Sequence, residues 1–98
     1  MSDAENMELM KIAGDFKIRQ VPEFFDTAKA HIESGKPLTI DLSEVSKIDC
    51  SGLQMLCYLR KSFSQRNVDL QLIDPSEAVA DVVDFVQMRE QLNFSQRH

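Results

Sequence analysis

The second half of the chain alternates twice between strand-like and helix-like patterning, and this limits the folds open to it. Leu38-Thr39-Ile40-Asp41-Leu42 is a short β-prone run. From about Ser51 to Gln65, Leu53, Leu56, Leu59 and Phe63 recur at helical spacing on one face. Val68 to Ile73 alternates as a further strand, and Asp74-Pro75-Ser76 opens a helix whose stripe is Ala78, Val79, Val82, Val83 and Val86. Strands separated by helices imply parallel neighbours joined by right-handed crossovers.

The first half extends this pattern. Met7 to Ile12 reads as a strand, Ala13-Gly14-Asp15 as a turn, and Phe16-Lys17-Ile18 as a short strand paired back antiparallel. Pro22 suits the first turn of a helix. Val21, Phe24, Phe25, Ala28 and Ile32 share its apolar face, and Ser34-Gly35-Lys36-Pro37 ends it. Ser43 to Asp49 reads as a loop turning Val45 and Ile48 inward, and Gln87 to Phe94 as a continuation of the last helix, anchored by Leu92 and Phe94. The predicted order is ββαβαβα: an α/β fold with a small mixed sheet of about four strands and helices packed mainly on one face.

A chain of 98 residues makes one domain, 1–98, with 1–6 and 95–98 expected as disordered tails. The net charge of −5 is dispersed and no run of Lys or Arg occurs, which argues against a nucleic-acid or anionic-membrane surface. The N-terminus lacks the pattern of a signal peptide, and no run approaches the roughly 18 apolar residues of a membrane span. Cys50 and Cys57 lie about 10 Å apart along one helix, beyond the roughly 7 Å reach of a disulfide. Reduced thiols and a cytoplasmic location are therefore expected. His31 and His98 have no metal-type spacing with the cysteines. With no Gly-rich phosphate loop and no nucleophile–base arrangement, neither an enzyme nor a cofactor is expected.

Residues 47–56, KIDCSGLQML, carry most of the chemistry. Ligands of open α/β sheets sit where a strand ends and a helix begins, and a helix N-terminus favours anions. Ser51 and Gln54 fit an S-x-x-Q capping box, and Asp49 can cap the same helix. Gly52 permits close approach, either of a partner backbone or of a neighbouring strand within the fold. Cys50 reads first as a small contact residue; its alternative is a thiol redox sensor, since helix N-termini depress thiol pKa values. Cys57 reads as a buried small hydrophobe. Gln54, Tyr58, Lys61 and Gln65 form a stripe at i, i+4, i+7 and i+11, and Cys50 stands above it. An exposed Tyr58 amid amides and a lysine has the character of an interface anchor.

Residues 38–56, LTIDLSEVSKIDCSGLQML, resemble the signature of STAS domains, the family of anti-sigma factor antagonists. The resemblance is strongest over 38–86, and the family's ββαβαβα order matches the one read above. It implies a small bacterial interaction module for signal transduction and transcription regulation. In phosphorylatable members, the residue after the second Asp takes phosphate from an anti-sigma factor that is also a serine kinase. That position is Cys50, which implies that the usual phosphate switch is absent, with the adjacent Ser51 as the less favoured acceptor. The implied partner surface is Asp49, Cys50, Ser51, Gly52, Gln54, Tyr58 and Lys61. The implied partner is a histidine-kinase-like ATPase, either an anti-sigma factor or a chemotaxis kinase. STAS proteins lacking the switch serine also resemble the small subunit on the ATPase of a phospholipid-transport ABC system, which gives a scaffold as the alternative.

Overall fold

A computed structural model describes residues 8–95. The strands are β1 (Glu8–Phe16), β2 (Leu38–Ile48) and β3 (Leu70–Ile73), and the helices are α1 (Val21–Ser34), α2 (Cys50–Gln65), α3 (Glu77–Phe85) and α4 (Arg89–Leu92). The sheet runs β1-β2-β3 with both pairings parallel. Its inward residues, among them Ile12, Phe16, Leu38, Ile40, Leu42 and Leu72, meet Leu56, Leu59 and Phe63 of α2 and Val79 and Val83 of α3 in one buried cluster. Burial of these side chains, each stabilising by about 1.5–3 kcal/mol, is the main force holding the layers together.

The α/β class and the positions of α1, α2 and the start of α3 stand, but the sheet has three strands among the described residues rather than about four. The expected N-terminal hairpin is one continuous strand, β1, parallel to β2. Gly14 has φ +77°, yet the chain does not reverse there. Lys11 lies opposite Asp41 but Ala13 opposite Glu44; Gly14 lies opposite Val45 but Asp15 opposite Lys47. β2 thus gains a residue at each step, and the positive φ of Gly14 serves an irregular ladder instead of a turn. The Asp41 carboxylate accepts from Ser43 N at 2.9 Å and holds the first irregularity in place.

The same misreading explains the expected loop at Ser43 to Asp49. Because β1 runs on to Phe16, its last residues supply ladder partners, and β2 continues to Ile48. Val45 is buried as expected, while Ile48 is half-buried.

At the C-terminal end the predicted helix 87–94 is broken. Gln87 adopts φ +59°, Met88 N donates to Val83 O at 3.0 Å, and Gln87 N donates to Asp84 O at 3.1 Å, which terminates α3. The chain resumes as α4, whose Leu92 is fully buried. Ser95, expected to begin a tail, donates its N–H to Leu72 O at 2.8 Å and bridges to Ile73. The other expected tail residues, 1–6 and 96–98 with His98 among them, lie outside the described residues, as does Met7. No helix among the described residues is long and apolar enough to cross a membrane.

Candidate functional site

The turn from β2 into α2 is organised by Asp49, the N-cap. One carboxylate oxygen accepts from Gly52 N at 3.1 Å and the other from Ile18 N, also at 3.1 Å. The Asp49 N–H donates to Phe16 O at 3.4 Å. A single side chain therefore ties the exit of β1 to the first turn of α2. The capping box expected at Ser51 and Gln54 is not formed, since Ser51 is already the second helical residue. The physical reason is that a carboxylate has two oxygens to share between two elements, whereas a hydroxyl has one.

Desolvation pushes the Asp49 carboxyl upward, but the N–H groups of Gly52, Ile18 and Ser51 and the charge of Lys17 outweigh it, so its pKa lies below the usual 3.8. A depressed folded-state pKa means that the cap's contribution is complete above the ordinary carboxylate range. It is lost as pH falls below about 3.8 through the folded-state value. Denaturant midpoints measured between neutral and strongly acidic pH are expected to show this loss. Asp49→Asn should be less stable at neutral pH and flatter below it; equal acid slopes in both proteins would contradict the assignment.

Gly52 is buried, and a Cβ there would lie 2.5 Å from Phe16 O. Its close approach is internal, to β1, and fixes how the first turn of α2 rests on the sheet.

Cys50 is the first residue of α2 and is exposed. Ser51 is half-buried, Gln54 is exposed, and Tyr58 is 54% exposed. Ser51, Gln54 and Tyr58 line a groove of about 420 Å³ whose other walls are Ile18, Val21, Pro22, Phe25 and Met55. The Tyr58 and Phe25 rings lie 5.5 Å apart, tilted by 51°. Lys61 belongs elsewhere: with Cys57, Arg60, Gln91 and Leu92 it lines a separate 260 Å³ cavity toward α4. The stripe read on one helix thus divides between two neighbours.

The α1 side of the groove was not anticipated as a surface. Val21 and Phe25 lie on the apolar stripe that a helical wheel assigns wholly to the core, and Ile18, which reads from sequence as part of a strand, is 68% exposed. Cys57 is half-buried, its thiol pKa raised by burial, with its sulfur 4.0 Å from that of Met88. Both cysteines are free, and no cluster of His, Cys, Asp and Glu among the described residues could hold a metal ion. His31 is buried, its Nδ1 3.2 Å from Lys36 O and its Nε2 3.4 Å from a Glu8 carboxylate oxygen, which serves the C-terminal end of α1.

Comparison with solved structures yields the same architecture. Unphosphorylated anti-sigma factor antagonist SpoIIAA superposes with a TM-score of 0.76 at 14% identity, covering 95% of this chain and 81% of that one. Phosphorylated Bacillus SpoIIAA gives 0.74 at 14% identity, covering 95% and 84%. The tm1081 protein of Thermotoga maritima gives 0.78 at 18% identity, covering 94% and 79%. No curated protein matches the chain. The family model described as "Mlab, STAS domain" matches residues 2–92. The chain belongs to the STAS-domain family.

Proposed function

We propose that this chain is a regulatory protein-interaction module that docks on an ATP-binding partner through the start of α2 and the groove beside it. The observation that carries the proposal is the exposed side chain of Cys50 at the first position of α2, beside the open groove of Gln54 and Tyr58. By the family resemblance, Cys50 occupies the switch position. A thiol there accepts no phosphate from a serine kinase, so docking is constitutive or governed by other means. The module has no catalytic role of its own in this reading and acts by altering its partner's activity or assembly. The partner of the family circuit is a histidine-kinase-like ATPase.

The matching family model favours a second reading, because its description is that of MlaB and not of SpoIIAA. A STAS subunit outside the sigma-factor circuit, held as a scaffold on an ABC-type ATPase, fits that description. A thiol sensor rests on Cys50 alone; alkylation as slow as that of an ordinary thiol is the result expected if docking is its role.

The test is affinity capture from the native cells with wild type, Cys50→Glu and Cys50→Ser, with captured proteins identified by mass spectrometry. Glu places negative charge where phosphorylatable relatives carry phosphate, so a captured ATPase is expected to be lost with Glu and kept with Ser. Under the kinase reading, the Ser variant should also gain phosphate from its partner and ATP. Capture of an ABC-type ATPase without phosphorylation of the Ser variant supports the scaffold reading. Capture indifferent to Glu overturns the docking site.

A further inference from the structure

We propose that the outward face of α3 is a second contact surface, which takes a basic segment of a partner protein by seating an arginine across Asp81 and Phe85. The inward face of α3 is settled by Val79 and Val83, which are buried in the core. Glu77, Asp81, Asp84 and Phe85 stand at i, i+4, i+7 and i+8 on the other side, and all four are exposed. Phe85 is 88% exposed, the most of any large apolar side chain among the described residues. Val86 beside it is 40% exposed, and neither belongs to the buried cluster or to the side chains packed against it. A ring held this far into water contributes little to the fold. None of these residues lines the groove at the start of α2, so the contact goes beyond the docking reading.

An exposed phenylalanine alone says nothing of a partner; the charge around this one does. The net charge of −5 reads as dispersed, yet from Asp74 to the end of α4 the carboxylates Asp74, Glu77, Asp81, Asp84 and Glu90 stand against one cation, Arg89. Arg89 is engaged by Asp84, its Nε and Nη2 donating to the two carboxylate oxygens at 2.7 and 3.0 Å. Glu77 and Asp81 have no ion-pair partner among the described residues. Asp81 and Phe85 lie one turn apart, so a carboxylate and an aromatic ring meet the same approaching group. A guanidinium suits both, its forked donors pairing with the carboxylate while its plane lies on the ring. The Arg89–Asp84 pair forms the first half of this arrangement within the chain. Lysine supplies the charge but neither the fork nor the flat stacking surface. The same carboxylates repel an anionic membrane, and two copies meeting face to face through α3 would oppose like charges.

Selection of a displayed random-peptide library on the full-length chain, repeated on Phe85→Ala, tests this. Both Asp81 and Phe85 are exposed, so variants at either are expected to fold as wild type does. Peptides enriched on wild type and not on Phe85→Ala are expected to contain arginine. Affinity of the best synthetic peptide, followed by fluorescence anisotropy, should fall about tenfold in Phe85→Ala. It should also fall when lysine replaces the peptide's arginine. In Asp81→Arg the preference should reverse, with a glutamate version of the peptide binding more tightly than the original. Attraction by net charge alone would leave the affinity unchanged in Phe85→Ala, which overturns the inference. Enrichment of acidic or uncharged peptides overturns it too, as does the absence of any enrichment. A dimer in sedimentation that dissociates in Phe85→Ala would assign the face to a second copy of the chain and overturn it likewise.

Discussion

Gly52→Ala is expected to lower the stability of the domain by about 2 kcal/mol. In an exposed helix the same change raises stability by about 1 kcal/mol, because alanine gives up less backbone freedom. Here the sign reverses. A Cβ on Gly52 would lie 2.5 Å from Phe16 O, 3.0 Å from Ile48 Cγ1 and 3.0 Å from Phe16 Cδ2. The nearest of these atoms belongs to backbone and cannot swing aside. Phe16 is itself fully buried, with its ring edge-on to Phe24 at 5.9 Å. Relief therefore requires the first turn of α2 to lift from β1, stretching the bond from Asp49 N to Phe16 O. Overpacking of this kind costs about 1–3 kcal/mol, and a backbone obstacle leaves little means of reducing it. The measurement is the urea midpoint of both proteins. A midpoint equal to or above wild type would show that α2 does not rest on β1 through Gly52. Because Cys50 and Ser51 ride on that turn, partner affinity should also fall at temperatures where the variant remains folded.

The parts of this structure legible in sequence are those whose signals are local. The apolar stripe Leu53, Leu56, Leu59 and Phe63 identified α2 and its buried face, and Val79 and Val83 did the same for α3. Asp49 and Cys50 could be placed at a strand-to-helix turn because the cap and the first helical residue lie next to each other in the chain. The illegible parts depend on residues distant in sequence. Gly14-Asp15 reads like a turn whether the positive φ reverses the chain or accommodates an uneven ladder. Ser43, Glu44, Ser46 and Lys47 are polar because that part of β2 is solvated on its outward side, and a loop has the same composition. The partners that make it a strand, Ala13 to Phe16, are about thirty positions away. The groove was hidden for a related reason. A wheel of α1 shows that Val21 and Phe25 are on the apolar face, but not how much of that face α2 leaves uncovered.

Arg60→Ala is expected to cost about 2–3 kcal/mol and to release the C-terminal segment from the sheet. The guanidinium donates from Nε to Leu92 O at 2.9 Å, from Nη1 to Leu70 O at 2.9 Å, and from Nη2 to Asn93 O at 3.1 Å. It thus joins the end of α4 to the start of β3 from a position on α2. Burial pulls its pKa below the usual arginine value, yet an arginine stays charged at any physiological pH. A helix as short as α4 does not persist on its own. It is held by the buried Leu92 side chain and by these bonds to its last carbonyls, where a cation also opposes the negative end of the helix dipole. Truncation would leave partly buried carbonyls without donors, and a hydrogen bond from a charged group is worth about 1.5–3 kcal/mol. Arg60→Lys keeps the charge but cannot span three carbonyls, so it should fall between wild type and Ala. Denaturant midpoints give the magnitude, and hydrogen exchange at Ser95, whose N–H donates to Leu72 O, reports the local release. An Ala variant within about 0.5 kcal/mol of wild type, with Ser95 protected as before, would assign the docking of the segment to the packing of Leu92 and Phe94 and the Ser95 bridge without Arg60. A loss of Ser95 protection out of proportion to the global change would show that Arg60 holds this segment as a separately opening unit.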